Sequence, residues 1–185
     1  MSFEMWYLSE ADPDAAAVGS SPLPPYVDGG GPLGHGHVSF DRQHLDGGSQ
    51  FFNIATNGGF TAVTVMRFTD RSGQNWERVF DFGNGASSDN IVLAREGSES
   101  KLVFNFYQGS SFCHASISTA IVDGEWLEIV ARLSVADSQL ELRANDNTVS
   151  TSCNKGTDRT LSRTYIGKSN WGSGDTGEAM LAYGG

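Results

Sequence analysis

The chain contains the segment Leu127-Glu128-Ile129-Val130-Ala131-Arg132-Leu133, followed after a short loop by Leu140-Glu141-Leu142-Arg143-Ala144. In both segments apolar side chains recur at every second position, which places them on one face of a β-strand. Asn145 and Asp146 come next, and both residue types tolerate the positive φ angles of a two-residue hairpin turn. These segments therefore predict antiparallel strands, each with one buried face.

The same alternation recurs between Phe60 and Lys168. Strand candidates lie at 60–69, 78–82, 91–93, 101–108, 112–118, 125–133, 139–144, 147–151 and 164–168. Short strands at a spacing of about ten residues predict an all-β fold, a two-sheet antiparallel β-sandwich. Segment 60–69 also carries Val63 and Val65 opposite its apolar face, which predicts a strand covered on both faces.

Charge and hydropathy argue against two classes of partner. The 185 residues carry a net charge of −10, and an acidic surface repels the phosphates of nucleic acids. Lys and Arg are scattered, which is unlike a protein that binds anionic membranes. No apolar run approaches the ~20 residues that a spanning helix needs. We therefore expect no nucleic-acid partner and no membrane span.

The N-terminal region differs in composition from the rest of the chain. Pro22-Leu23-Pro24-Pro25 and Gly29-Gly30-Gly31-Pro32 interrupt any regular element. The sequence thus predicts an irregular arm at 1–36 and a β-sandwich at 37–185. The first residues lack the charged and apolar regions of a signal peptide, which leaves the localisation open.

The two cysteines, Cys113 and Cys153, allow two interpretations. A bridge between them would close a loop of about 40 residues and stabilise the fold by roughly 4 kcal/mol. Two separate thiols in a reducing compartment fit the sequence equally well. If the cysteines are bridged, we expect the protein in the extracellular space or an organelle lumen.

Several segments resemble a laminin-G-like, concanavalin-A-like jelly-roll domain over residues 37–183. They are Phe51 to Thr61, Arg78 to Gly85 followed by Asp89-Asn90-Ile91, Trp126-Leu127, and Tyr165-Ile166-Gly167-Lys168-Ser169-Asn170-Trp171. Relatives usually continue into a complete final strand, whereas this chain ends at Gly185 soon after the strand candidate 178–183. The resemblance therefore implies a last strand that is incomplete or is completed by the arm or by a neighbouring chain.

The resemblance also implies a function. Members of the family are mostly non-catalytic and bind glycans, proteins or steroids through loops at one rim, sometimes through a calcium ion. The corresponding loops here are 83–90, 108–112 and 169–176. Their candidate ligand-binding residues are Asn84, Asp89, Asn90, Asn170 and Trp171.

Two of these residues have an alternative interpretation. Asp89 matches the family's calcium-ligating Asp before a strand, and calcium prefers hard oxygen ligands of this kind. Asp89 and Asn90 are equally typical of residues that cap a turn. Trp171 presents an apolar ring that could stack on a sugar, or it closes one end of the sandwich.

Catalysis is the least favoured function. Glycoside hydrolysis requires two carboxyl groups facing each other across a cleft, but Glu125 and Glu128 lie on opposite faces of their strand. We therefore predict a non-catalytic recognition module for a glycan or a protein. The alternative is a subunit of a larger assembly that docks through residues 1–34 and a sheet edge. A polysaccharide-active enzyme ranks third.

Overall fold

The computed structural model describes residues 26–27, 29, 37–38, 44–68 and 76–171. Most of the predicted arm and the strand candidate 178–183 lie outside them. The described residues form fourteen strands and include no helix that could cross a membrane. The strands are β1 Tyr26–Val27, β2 His37–Val38, β3 Leu45–Asp46, β4 Gln50–Phe52, β5 Gly59–Arg67, β6 Arg78–Gly83, β7 Ile91–Arg95, β8 Leu102–Gln108, β9 Ser111–Ile117, β10 Trp126–Ser134, β11 Gln139–Ala144, β12 Asn147–Ser152, β13 Arg159–Leu161 and β14 Arg163–Ile166.

Two antiparallel sheets make up the sandwich. One has four strands in the order β12-β11-β10-β5, and the other has six in the order β3-β14-β6-β7-β8-β9. Strands β4 and β13 pair separately, as do β1 and β2. The prediction of an all-β, two-sheet antiparallel sandwich is confirmed. So is the Asn145-Asp146 turn, since Ala144 pairs with Asn147 and Asn145 has a φ of 48°.

The core lies between the two sheets and follows the alternation seen in the sequence. The inward positions of β10 are all buried: Leu127, Ile129, Ala131 and Leu133. Aromatic rings join the sheets, because Phe60 of β5 packs against Phe80 of β6 and Phe104 of β8, with ring centroids 6.1 and 6.4 Å away. Ring packing of this kind adds to the free energy of apolar burial.

The expectation that β5 is covered on both faces is wrong at Val63. Val63 is 48% exposed, and β5 lies at the end of its sheet, where it pairs only with β10 among the described strands. Val63 faces Val130 across that pair. β-branched residues favour an extended backbone and pack well beside each other across strands, so their presence on a second face does not require that face to be covered.

A disulfide ties the two sheets together. Cys113 of β9 is bonded to Cys153, which follows β12, and their Cα atoms are 5.6 Å apart. Both residues are buried. Of the two interpretations of the cysteines, the fold selects the bridge, because the ends of β9 and β12 lie side by side.

Candidate functional site

Two of the predicted rim loops meet at one end of the six-stranded sheet. Asp89 Oδ1 accepts a hydrogen bond of 2.8 Å from the Gly109 amide, and the Asp89 amide donates to Gly109 O at 3.2 Å. Loops 83–90 and 108–112 are therefore held together, as the resemblance implied.

The chain after β14 runs back across the outer face of this sheet. The Gly167 amide bonds to Val79 O at 3.2 Å, and three residues later the Asn170 amide bonds to Asp81 Oδ2 at 2.9 Å. Trp171 then reaches β8. Its ring meets Tyr107 edge to face with centroids 5.8 Å apart. The described part of the third predicted loop, residues 169–171, thus joins the other two loops.

An aromatic platform lies where the three loops meet. Tyr107 and Phe112 face each other across the β8–β9 pair and stack at 4.8 Å. Tyr107 is buried, Trp171 is partly exposed, and Phe112 is 50% exposed. Burial raises the pKa of the Tyr107 hydroxyl, so that it stays protonated. We call Tyr107, Phe112, Asn170 and Trp171 the rim site.

A buried carboxylate organises the backbone beneath the rim site. Asp81 Oδ2 lies 3.3 Å from Arg78 Nε, and Asp81 Oδ1 accepts a 2.9 Å hydrogen bond from Asn90 Nδ2. Burial raises the pKa of Asp81, and the Arg78 charge and the hydrogen bonds oppose that shift. Asp81 also holds the Asn170 backbone, so this one side chain positions two of the loops.

A second buried arginine supports the platform from the other side. Arg159 donates from Nη1 to Tyr107 O, and from Nη2 to Lys155 O at 2.8 Å and to Thr157 Oγ1 at 2.9 Å. Burial lowers the pKa of Arg159, and the Asp89 charge opposes the shift. The guanidinium group is therefore committed to protein acceptors.

Asn84 and Asn90 lie in loop 83–90, and their side chains form hydrogen bonds within the protein. Asn84 Oδ1 accepts from the Ser162 amide at 2.7 Å, and its Nδ2 donates to Thr160 O at 3.2 Å. Asn90 is fully buried; besides its bond to Asp81, its Oδ1 accepts from the Ser88 amide at 2.8 Å. Both side chains hold loop 83–90 in place.

Asp89 lies beside a buried arginine and already accepts a hydrogen bond. Its Oδ1 is 3.6 Å from Arg159 Nη1 and already accepts a hydrogen bond from Gly109. Among the described residues, no group of three or more His, Cys, Asp or Glu side chains could hold a metal ion. An arginine at this distance repels a divalent cation, which also needs six to eight oxygen ligands. Calcium at Asp89 stays a prediction of the resemblance.

The two remaining predicted residues, Asn170 and Trp171, have buried polar atoms with no hydrogen-bond partner among the described residues. Asn170 is 1% exposed, and neither Nδ2 nor Oδ1 of its amide has a hydrogen-bond partner among the residues that the structure describes. The Trp171 indole nitrogen is likewise buried and unpaired. Fewer than one in ten buried polar groups is unpaired in well-determined structures, so two adjacent residues of this kind are unusual.

Sequence reasoning missed Tyr107 as a site residue, and it did not name Phe112 although that residue lies in the predicted contact loop 108–112. Both lay in strand candidates, and the short Gly109-Ser110-Ser111 turn between them was recognised. A hairpin register would have placed Tyr107 opposite Phe112 on one face. Their exposure depends on what covers that face, which local alternation does not report.

Solved structures with the same fold include three that bear on the site. The carbohydrate-binding module CBM40 of the Ruminococcus gnavus IT-sialidase, bound to α2,3-sialyllactose, aligns with a TM-score of 0.52 and 14% identity, over 76% of this chain and 86% of that one. Domains LG4-5 of the mouse laminin α1 chain align with a TM-score of 0.50 and 18% identity, over 86% of this chain and 38% of that one. The Bacillus licheniformis β-glucanase aligns with a TM-score of 0.50 and 11% identity, over 82% of this chain and 76% of that one.

These similarities establish the fold as a concanavalin-A-like, laminin-G-like jelly-roll sandwich, as the sequence segments had indicated. At such identities they show the fold and leave the function to the residues of the site. No protein-family model and no curated protein matches the sequence.

Proposed function

We propose that this jelly-roll domain is a non-catalytic module that recognises a glycan at the rim site. The observation that carries the proposal is the exposed ring of Phe112, stacked on Tyr107 at 4.8 Å with Trp171 beside it. The C–H groups of a sugar ring pack against aromatic faces, and nearby polar atoms then fix its orientation. The carbohydrate-binding module among the similar structures is consistent with this role.

The carboxylates near the rim site support binding rather than hydrolysis. Asp81 lies beside Arg78, and Asp89 beside Arg159. A glycosidase needs one carboxyl group as a proton donor and a second, accessible one as nucleophile or base. Asp81 is fully buried and occupied by hydrogen bonds, so it is poorly placed for either role.

The disulfide supports a location in an oxidising environment. Bridges of this kind persist in the extracellular space and in oxidising organelle lumens, whereas cytosolic thiols are kept reduced. We therefore extend the proposal to a glycan ligand outside the cell or within such a lumen, which trapping of free thiols in the native material would check.

Phe112→Ala is expected to weaken glycan binding about tenfold with little loss of stability. The substitution removes a half-exposed ring that contributes contact area, and a tenfold change corresponds to about 1.4 kcal/mol. The measurement is a glycan array followed by calorimetric titration of the best-bound oligosaccharide. Phe51→Ala is the matched control, because Phe51 is 54% exposed but lies on the separate strand β4.

The outcome separates the rim site from other surfaces. Equal losses in Phe112→Ala and Phe51→Ala would point to a general effect of surface aromatics. Wild-type affinity in Phe112→Ala would place the glycan elsewhere.

One observation favours a second function, assembly by strand addition. Strand β5 offers nine residues along an edge that is unpaired among the described strands, and its only charged residue is Arg67. Such an edge is a template for an extended segment of another chain. The fitting partner is an uncharged, β-branched strand of a second protein in the assembly.

Hydrogen exchange tests this second function. In the assembly isolated from its natural source, we expect the outward-facing amides of β5 to exchange more slowly than in the isolated chain. Val63→Lys should prevent incorporation into the assembly, whereas Thr148→Lys on exposed β12 should not. Equal exchange in both samples would rule out docking at β5.

A further inference from the structure

Two exposed side chains lie next to each other on β9, the last strand of the six-stranded sheet. Phe112 and His114 are both exposed, whereas Cys113 between them is buried in the core. Because side chains alternate along a strand, Phe112 and His114 point away from the core on the same face. Two residues of a strand span roughly 6.6 Å, so a molecule that covers the Phe112 ring also reaches His114.

A buried asparagine orients the His114 ring. Asn105 of β8 pairs with His114 across the two strands, and its Oδ1 lies 2.7 Å from His114 Nδ1. An amide oxygen only accepts hydrogen bonds, so Nδ1 carries a proton in this pair. In the neutral ring the other nitrogen, Nε2, then has a free lone pair. Asn105 is 6% exposed, so the ring is held from the protein side.

The Nε2 atom of His114 is available as a hydrogen-bond acceptor. It bonds to none of the residues that the structure describes. Burial and the Lys101 charge lower the pKa of His114, and the Glu96 charge opposes that shift. Lys101 is itself paired with Glu96 at 2.5 Å. The imidazole is therefore neutral at neutral pH, and it presents an acceptor beside the exposed Phe112 ring.

From these observations we infer that His114 is a specificity-determining contact, which accepts a hydrogen bond from a hydroxyl group of the sugar stacked on Phe112. The inference rests on the proposed function and names the chemical group that its ligand presents. An ionised carboxylate or sulfate does not fit this place, because it has no proton to donate to Nε2. The ligand class is thus a sugar with a free hydroxyl at the edge of the stacked ring.

Acid should weaken the binding of such a sugar. As the pH falls through the lowered pKa of His114, Nε2 gains a proton and loses the lone pair that accepts the hydroxyl. The contact is therefore complete at neutral pH and is lost on the acid side of that pKa. By linkage, a sugar that binds the neutral ring lowers the pKa of His114 further.

His114→Gln tests the contact through its pH profile. An array of neutral hexose oligosaccharides and their sialylated counterparts identifies the best-bound probe, and calorimetry then measures its affinity between about pH 7.5 and pH 5. The wild-type affinity should fall about threefold or more over this range. His114→Gln should show no such fall, because an amide does not titrate.

His44→Gln is the matched control. His44 precedes β3 at the opposite edge of the same sheet, and its ring lies 5.7 Å from that of Tyr165. Burial lowers the pKa of His44 as well, so the control removes a second histidine that titrates on the acid side. It should keep the wild-type pH profile.

Nuclear magnetic resonance reports on the ring directly. The His114 imidazole signals, followed against pH with and without the best-bound oligosaccharide, should titrate at a lower pH when the oligosaccharide is bound. The His44 signals should titrate at the same pH in both samples.

The outcomes separate the two proposals. An acid-induced loss of affinity in the wild type and in His44→Gln, absent from His114→Gln, would support the inference. Glycan binding that depends on Phe112 but has the same pH profile in His114→Gln, or that prefers the sialylated probes, would overturn the inference and leave the proposed function standing. Binding to no probe at all would overturn both.

Discussion

Arg95→Ala is expected to destabilise the fold by about 3–5 kcal/mol, because it removes a buried positive charge that pairs with a buried carboxylate. Arg95 is fully buried at the end of β7. Its Nε lies 2.8 Å from Glu77 Oε2, and its Nη2 lies 2.5 Å from Asp123 Oδ1. The guanidinium group also packs over the Phe68 ring, 4.7 Å from its centroid. Since folded domains are stable by only about 5–15 kcal/mol, such a loss is a large share of the total.

Chemical denaturation of paired variants distinguishes the loss of charge from the loss of volume. Arg95→Met keeps an apolar chain but removes the positive charge beside the Glu77 carboxylate, so it should remain strongly destabilising. The double variant Arg95→Met with Glu77→Met should recover much of the loss, because apolar residues can replace a buried ion pair.

A surface arginine provides the control for this experiment. Arg132 is 48% exposed and 3.9 Å from Asp137, so Arg132→Ala should change stability by less than about 1 kcal/mol. A loss below that value in Arg95→Ala would contradict the prediction.

Removing the disulfide is the second change with a large expected effect. The double variant Cys113→Ser with Cys153→Ser should lower the free energy of unfolding by about 4 kcal/mol, because the unfolded chain regains the entropy of a 40-residue loop. The bridge also joins β9 to the segment that leads to Arg159, so the platform under Tyr107 should loosen with it.

Denaturant titration under oxidising and reducing conditions measures this effect. The wild type with reductant should resemble the double variant, and the double variant itself should not respond to reductant. A stability loss of less than about 1 kcal/mol would mean that packing between β9 and β12 holds the sheets without the bond.

The sequence predicted the sandwich well because its main signal is local. Alternation in β10 and β11 identified their buried faces, and the Asn145-Asp146 turn fixed one hairpin. Val63 was misread, since β-branched residues suit a strand on either face and say nothing of a covering layer.

The candidate site was predicted in part. The resemblance identified the right loops, and they do meet through Asp89 and Gly109. It did not separate Asn90, whose amide hydrogen-bonds to Asp81, from Asn170, whose amide has no hydrogen-bond partner within the described part of the chain. Both are asparagines in loops beside strands, and only their neighbours in space distinguish them.

The sequence alone thus determined which side chains face the core, because side-chain direction along a strand follows from a two-residue period. It could not determine sheet order, the closure of the Cys113–Cys153 bond, or the meeting of Trp171 with Tyr107. The disulfide, the ring contact and the strand pairs β5–β10, β3–β14 and β6–β14 each join residues 40 or more positions apart. They arise only when two sheets pack and the loops are brought to a common end, since their energies depend on distances that no local pattern contains.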